Sequence, residues 1–239
     1  NYARRIQSAI LPSAEFIQEN LPEHFIYYRP KDVVAGDFYW VQEAKGTVLF
    51  AAADCTGHGV PGALVSVICN NALNRSVKEY GIIDPAKVLD KSRDLIIDEL
   101  AKSGEEVQDG MDISLCSIQG DQLKFAGANN PLWLVRNGEL VEYKGDKQPV
   151  ARYDKPEPFI THSIELKKGD VIYLLSDGFP DQFGGPKGKK YKYKPFKDFL
   201  LSIADQPLSD QGQLLEEELL RWMGEREQID DICIIGVRI

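Results

Sequence analysis

Four aspartates stand where an apolar run meets glycine or a second acid: Asp37, Asp54, Asp177 and Asp230. Each run has the composition of a buried strand, so each aspartate should lie at a strand end. Carboxylates are rarely buried without a partner, and several brought together repel one another unless a cation neutralises them. Hard oxygen ligands suit Mg²⁺ or Mn²⁺. The pattern predicts a hydrolase that uses two divalent cations.

Asp54 has the most informative surroundings of the four. It ends an apolar run that begins at Thr47, and the turn Gly57-His58-Gly59 and a helix follow it. Glycine permits both a tight turn and the close approach of a ligand to the backbone. An aspartate before a helix can also simply cap that helix. The same strand-end setting at the other three aspartates favours a site over a cap.

Composition limits the classes of protein to consider. The chain has 239 residues, enough for one sizeable domain or two small ones. Its net charge of −9 argues against a general nucleic-acid-binding protein. No apolar run approaches the roughly 18 residues of a membrane-spanning helix. The 4 cysteines lack C-x-x-C spacing, which favours free thiols in a reducing cytoplasm over zinc or disulfides.

The elements that must position these aspartates follow from periodicity and turn signals. Short strands surround Asp37 and precede Asp54, one helix ends at Gly81, and a second begins at Asp84 and Pro85. Strands separated by turns fill 111–177, which predicts antiparallel hairpins. Helices at about 195–204 and 208–224 precede a last strand at 231–239. This order predicts an α+β sandwich with its sheets inside.

Several ordered blocks carry a family resemblance: GDFYW, ADCTGHGVPGAL, GANNPLW, LLSDGF and DDICIIGV. Together they resemble the SpoIIE-type branch of the metal-dependent PPM (protein phosphatase 2C-like) serine/threonine phosphatases. The resemblance runs from about Ile26 to Ile239, and ADxxGHGVP is its most distinctive block. It implies a four-layer α-β-β-α sandwich of two mainly antiparallel sheets flanked by helices. It also places a metal site at one edge of the paired sheets.

The resemblance further implies a ligand set for two divalent cations, Mn²⁺ or Mg²⁺. Asp54 would bridge both ions, with Asp37 and the backbone carbonyl of Cys55 on one ion and Asp177 and Asp230 on the other. Relatives have Asp or Asn at the position of Asp231, which favours a hydrogen-bonding role there. Catalysis would use metal-activated water and no phosphoenzyme nucleophile.

Five nearby residues have open roles. Asn129 and Asn130 stand in place of the histidine-containing block of many relatives, and could contact phosphate or order a loop. His58 is either a general acid or, as we favour, a turn-stabilising side chain. Asp109 or Asp112 could hold a third metal ion, although exposed turn acids are the favoured interpretation.

A lysine-rich segment, GGPKGKKYKYK, covers 184–194 and holds five lysines. Its glycines favour a solvated, mobile loop. The alternative is a surface that attracts a phosphorylated or acidic partner to an otherwise acidic domain.

Residues 1–22 should form a signalling helix and linker ahead of a PPM-type domain at 23–239. NYARRIQSAILPS has an apolar stripe at helical spacing that stops at Pro12, and no initiator Met. We expect a segment excised from a longer protein, with the helix leading to an upstream sensor domain and able to pair two copies. The domain is expected to be cytoplasmic, within a full-length protein that could be tethered to a membrane.

The expected function is dephosphorylation of phosphoserine or phosphothreonine on a bacterial regulatory protein of the anti-sigma-factor-antagonist type, with no nucleic-acid partner. A pseudo-phosphatase that acts as a regulated binding or switch module is the alternative. A hydrolase of small phosphoesters or nucleotides is a second alternative.

Overall fold

Two five-stranded antiparallel sheets lie face to face in the computed structural model, which describes residues 2–102 and 107–239. The helices of these residues are α1 (Tyr2–Ser8), α2 (Ala14–Asn20), α3 (Gly59–Lys78), α4 (Pro85–Ala101), α5 (Gly178–Asp181), α6 (Tyr193–Ile203) and α7 (Leu208–Met223). The strands are β1 (His24–Arg29), β2 (Phe38–Ala44), β3 (Thr47–Cys55), β4 (Met111–Gln119), β5 (Gln122–Ala128), β6 (Leu132–Arg136), β7 (Glu139–Tyr143), β8 (His162–Glu165), β9 (Val171–Leu175), β10 (Phe183–Gly184), β11 (Lys189–Lys190) and β12 (Ile232–Arg238). No described helix has the length and apolar character needed to cross a membrane.

Strand order decides which strand ends meet. One sheet has the order β1-β12-β9-β6-β7 and the other β2-β3-β4-β5-β8. Strands β2, β3, β4 and β5 pair in sequence. Short turns join β2 to β3 and β4 to β5, whereas helices α3 and α4 lie between β3 and β4. Strand β12 instead lies between β1 and β9, and pairs antiparallel with both. The end of β9 and the start of β12 therefore lie side by side.

Three layers of apolar side chains hold the elements together. Residues of both sheets, such as Phe50 and Leu174, form the layer between them. Helices α3 and α4 cover the outer face of one sheet, where Leu73 and Leu89 pack on Trp40 and its neighbours. Helices α6 and α7 cover the other sheet with residues such as Phe196. Burial of each such side chain contributes roughly 1.5–3 kcal/mol. The predicted four-layer sandwich is confirmed.

The lysine-rich segment contains a short antiparallel hairpin, β10–β11, where the sequence favours a mobile loop. Gly184 explains how the hairpin packs on α7. A Cβ atom at this position would lie 2.0 Å from the carbonyl oxygen of Trp222. Because glycine has no Cβ, the hairpin backbone can lie directly on the helix. The sequence analysis misses this contact because it joins distant parts of the chain.

Candidate metal centre

The four predicted acids come to one edge of the two sheets because of strand direction. Asp54 is the penultimate residue of β3. Asp37 directly precedes β2, the strand that pairs antiparallel with β3. Asp177 follows β9 by two residues, and Asp230 precedes β12 by two residues. Positions about two hundred residues apart in the chain thus lie at one edge.

An open cavity of about 260 Å³ lies at this edge. Three of the four acids line it, together with backbone and side chains of the turn after β3. The lining residues are Asp54, Cys55, Thr56, Gly57, His58, Met111, Asp112, Pro149, Asp177 and Asp230. Asp37 is buried and is not in contact with this open space. The cavity is therefore an acidic pocket with a further acid behind it.

Burial and neighbouring carboxylates raise the pKa values of Asp54 and Asp177 in this pocket. Burial raises the pKa of Asp54, and the negative charges of Asp37, Asp177 and Asp230 raise it further. Burial likewise raises the pKa of Asp177, with Asp230 as the next contribution. Low-dielectric surroundings and like charges both disfavour the ionised form. A divalent cation would relieve both effects at once.

Ser176 holds the fourth acid in place. Its hydroxyl donates to Asp37 Oδ2 at 2.5 Å and accepts from the backbone N–H of Cys233 at 2.9 Å. Burial raises the pKa of Asp37, although this hydrogen bond acts in the opposite direction. The hydroxyl of Ser176 is fully buried, so it is a positioning group and is not placed as a nucleophile. Sequence reasoning misses this role because the two residues are 139 positions apart.

Asp231 fixes the loop that leads to Asp37. Its carboxylate accepts the backbone N–H groups of Lys31 and Gly36, each at 2.7 Å. The hydrogen-bonding role predicted for Asp231 is confirmed. The backbone N–H of Asp231 in turn donates to the carboxylate of Asp230 at 2.9 Å. The two neighbouring acids therefore have different roles: Asp231 orders the loop, and Asp230 lines the cavity.

Two glycines, Gly36 and Gly62, let the Asp37 loop and the start of α3 lie against the turn after Asp54. A Cβ atom at Gly36 would lie 2.4 Å from the carbonyl oxygen of Gly57. A Cβ atom at Gly62 would lie 2.2 Å from the same oxygen. Real Cβ atoms do not approach so closely, so these backbones meet only because no side chain intervenes. Gly36 and Gly62, the last glycine of GHGVPG, therefore serve close packing at the site.

His58 occupies the N-cap position of α3 without a side-chain capping hydrogen bond. The alternative in which Asp54 caps this helix is therefore wrong. His58 Nδ1 lies 3.2 Å from Asp32 Oδ2, and both side chains are about half exposed. The histidine joins the start of α3 to the loop between β1 and β2, as expected of a turn-stabilising residue. It also lines the cavity, so a role toward substrate stays open.

The other residues with open roles separate into two groups. Asp112 faces Asp54 across the β3–β4 ladder, lines the cavity and accepts a hydrogen bond from Asn129 Nδ2 at 2.8 Å. Burial raises its pKa. Asp109 and Asn130 are not among the cavity-lining residues. Asn130 is buried, and its side-chain nitrogen has no hydrogen-bond partner within the described part of the chain.

The donor chemistry of this edge fits divalent cations. Carboxylate oxygens and a backbone carbonyl are what Mg²⁺ and Mn²⁺ bind, and the repelling charges of Asp54, Asp177 and Asp230 already share one cavity. Among the described residues, however, no group of three or more His, Cys, Asp or Glu is arranged to hold an ion as it stands. The assignment of each ligand stays a prediction.

Comparison with known proteins decides the family. The family model of Stage II sporulation protein E (SpoIIE) matches residues 44–239. The chain belongs to the SpoIIE family. This match covers the strand, turn and helix around Asp54 as well as Asp177 and Asp230. The family membership that the sequence blocks predicted is confirmed. Among curated proteins, none matches the chain.

Solved structures agree with the family and the fold. The SiaA-PP2C domain of Pseudomonas aeruginosa is 35% identical with a TM-score of 0.89, covering 100% of this chain and 94% of that one. The PP2C phosphatase domain of SpoIIE from Bacillus subtilis, with a regulatory fragment, is 21% identical (TM-score 0.72), covering 91% and 63% of the two chains. The PstP catalytic domain in complex with two manganese ions is 16% identical (TM-score 0.65), covering 90% and 96%. This SpoIIE-family chain therefore has the fold of a PP2C-type phosphatase domain.

Proposed function

We propose that this chain is an active, metal-dependent serine/threonine protein phosphatase domain that acts on a bacterial regulatory phosphoprotein. The observation that carries the proposal is the acidic cavity at the sheet edge, lined by Asp54, Asp177 and Asp230. Family membership supports a phosphatase, and the manganese ions in the PstP structure support the choice of metal. An anti-sigma-factor antagonist is the substrate type that the family resemblance suggests.

Two divalent cations, Mn²⁺ or Mg²⁺, would be held at the cavity. Their proposed ligands are Asp54 between them, Asp37 and the Cys55 carbonyl on one side, and Asp177 and Asp230 on the other. When bound, such ions supply an activated water and neutralise the oxygens of a phosphoryl group. The same ions would lower the raised pKa values of Asp54 and Asp177, because an opposite charge favours the ionised carboxylate.

The residues around these ligands orient them. Ser176 fixes one oxygen of Asp37, and Asp231 fixes the backbone that carries it. Asp112 is held by Asn129 on the far side of the cavity, directly opposite Asp54 in the strand ladder. Fixed orientation matters because polar groups stabilise a transition state only when they need no rearrangement during the reaction.

The size of the cavity favours a protein substrate. Pockets for small molecules measure roughly 300–1,000 Å³ and enclose most of the ligand. The cavity here has about 260 Å³ and is open to solvent. It suits a phosphoryl group presented on a protein surface better than a whole nucleotide. This argues against the small-phosphoester alternative.

A regulatory role for α1 is part of the proposal. Gln7 is the buried residue of this helix, and its side-chain amide pairs with the backbone of Ala35, two residues before Asp37. Tyr2 and Ile6 on the same helix are 76% and 52% exposed. We propose that these apolar side chains contact a second copy or an upstream sensor domain, whose position then acts on the Asp37 loop. Analytical sedimentation of the parent chain and of the Tyr2→Glu/Ile6→Glu variant tests the pairing of two copies. If the parent chain is a dimer and the variant is also a dimer, these two side chains do not form the dimer contact.

The alternative is a pseudo-phosphatase that binds a partner without turnover. The loop after β5 favours it, because Asn129 and Asn130 stand in place of the histidine-containing block of many relatives. Such a protein would bind phosphoprotein and show no metal-dependent hydrolysis.

A manganese-dependent assay on a phosphoserine peptide separates the two functions. Asp54→Asn keeps the side-chain shape and removes the proposed bridging charge, whereas Asp154→Asn makes the same change at an exposed position. Hydrolysis that requires Mn²⁺, is lost in Asp54→Asn and persists in Asp154→Asn supports the phosphatase. Peptide binding with no hydrolysis in any variant supports the pseudo-phosphatase.

A further inference from the structure

Three exposed lysines follow the short helix α5, which begins directly after Asp177, and form a surface that we call the basic rim: Lys190, Lys192 and Lys194. Lys190 Nζ lies 2.8 Å from Asp181 Oδ2, at the end of the short helix that follows Asp177. Within the described residues, Lys192 and Lys194 have no ion pair, so their charges face solvent uncompensated.

The rim is attached to the elements that carry two of the cavity acids. The backbone N–H of Lys192 donates to the carbonyl of Pro180 at 2.7 Å, and that of Tyr191 donates to Gln182 at 2.9 Å. Gln182 is fully buried. Its side chain donates to the carbonyl of Glu227 at 2.9 Å and accepts from the backbone of Ile229 at 3.1 Å, next to Asp230. The rim is therefore fixed in place relative to the cavity.

Tyr193 lies between Lys192 and Lys194 in the chain and is the first residue of α6. Its side chain is 41% exposed, and its ring packs edge-on against Trp133. Burial raises the pKa of Tyr193, and the charges of Asp177, Asp181, Asp54 and Asp112 raise it further. The phenol thus lies within the electric field of the cavity acids, and Lys192 and Lys194 flank it in the chain.

The placement of these lysines is not explained by helix stability. Lys192 is the N-cap residue of α6 and Lys194 lies in its first turn, which has no acidic residue. The N-terminal end of a helix dipole disfavours positive charge. Local preferences that a sequence violates tend to mark functional positions. A role in contact with another molecule accounts for the charges.

We propose that the basic rim docks an acidic stretch of the phosphoprotein substrate, next to the phosphorylated residue. The inference deepens the proposed function and rests on it. The domain as a whole carries a net charge of −9, so an acidic substrate is repelled by most of its surface. The unpaired lysines of the basic rim make the local surface charge positive, and this charge orients the approaching substrate chain. Specificity for acidic flanks follows.

The test uses two phosphoserine peptides that differ only in three flanking residues, Glu in one and Gln in the other, with para-nitrophenyl phosphate as a substrate without flanks. The variant is Lys192→Glu/Lys194→Glu. Its matched control is Lys167→Glu/Lys168→Glu, an equal change of charge in the exposed loop before β9, at the opposite end of that strand from Asp177. Lys190 is retained so that its ion pair with Asp181 persists.

We expect the rim variant to lose about tenfold in kcat/KM on the Glu peptide, mainly through KM, because surface charges contribute modestly but additively at a rim. Activity on the Gln peptide and on para-nitrophenyl phosphate should stay within twofold, as should all activities of the control. Equal loss on both peptides, or equal loss in both variants, overturns the inference.

Fluorescence anisotropy of the labelled peptides separates docking from catalysis. If the parent chain hydrolyses neither peptide but binds the Glu peptide more tightly, and the rim variant alone loses that preference, docking stands and the proposed function fails. If the parent chain binds and cleaves both peptides equally well, the phosphatase stands and the docking inference fails.

Discussion

Replacing Gln7 with alanine should weaken the proposed metal site, to which Gln7 contributes no ligand. Its side chain is 6% exposed and hydrogen-bonds to Ala35 in both directions: Nε2 donates to the Ala35 carbonyl at 2.5 Å, and Oε1 accepts from the Ala35 N–H at 3.0 Å. Nε2 also lies 3.2 Å from Ser66 Oγ on α3. The amide therefore joins α1, the Asp37 loop and α3.

The expected magnitude follows from what the truncation leaves behind. Ala35 is fully buried, so its N–H and C=O both lose their partner inside the protein. Each orphaned buried group costs about 1–3 kcal/mol. Because the change also frees α1 to move aside and admit water, we expect a total of about 2 kcal/mol rather than the full sum. A loss of about 2 kcal/mol corresponds to about 30-fold in an equilibrium constant. We expect it to destabilise the loop that positions Asp37.

Calorimetric titration with Mn²⁺ and urea unfolding measure the effect. Gln18→Ala is the matched control, because Gln18 on α2 makes one exposed hydrogen bond, to the Pro22 carbonyl at 2.9 Å. We expect Gln7→Ala to lose roughly tenfold or more in Mn²⁺ affinity and about 2 kcal/mol of unfolding free energy, against about 0.5 kcal/mol or less for the control. Equal stability and equal Mn²⁺ affinity in the two variants would refute the coupling.

Three further predictions concern the site itself. Without metal, Asp54→Asn should unfold at a higher urea concentration than the parent at pH 7. The pKa of Asp54 is raised in the folded state, so the stability that this residue contributes is fully present below the usual carboxyl pKa. That contribution is lost as the pH rises through the raised pKa, and the asparagine variant does not lose it. Mn²⁺ should stabilise only the parent, and a parent that is the more stable without metal contradicts the proposed repulsion. Gly62→Ala should cost about 1–3 kcal/mol in urea unfolding, since its Cβ would lie 2.2 Å from the Gly57 oxygen. Gly212→Ala, where the nearest atom lies at 4.0 Å, should be neutral or stabilising, and equal costs would count against the packing argument. Asp231→Ala should lower Mn²⁺ affinity in the same titration and destabilise the fold by about 2–4 kcal/mol, because two backbone N–H groups lose their acceptor. Unchanged Mn²⁺ affinity would show that the order of this loop does not affect metal binding.

The strands and helices could be predicted because their signals are local. Apolar runs such as the one ending at Asp54 mark strands, and Asp84 with Pro85 marks the start of α4, where Asp84 Oδ1 accepts from the Lys87 N–H. The ordered family blocks then supplied the sheet arrangement, which periodicity alone does not give.

The supporting residues could not be predicted because their partners are remote. Ser176 meets Asp37 across the two sheets, and Gln7 meets Ala35 only after α1 folds back. The residue types do not indicate these roles, because serine and glutamine are common on protein surfaces. Gln7 lies outside the apolar stripe of α1, whose Tyr2 and Ile6 are exposed, so the helical pattern gives no signal for its burial.

The interior position of β12 has a consequence for how the domain forms. This strand is the most distant in sequence from β1 and yet separates β1 from β9. Until it inserts, the sheet remains in two halves, Ser176 has no backbone donor from Cys233, and Asp231 cannot restrain the loop before Asp37. Closure of the sheet and completion of the acidic pocket are therefore one event, and the phosphatase activity proposed for this chain would be absent until that event. Pairing at such sequence separation is slow, so we expect activity to appear together with the slowest folding phase.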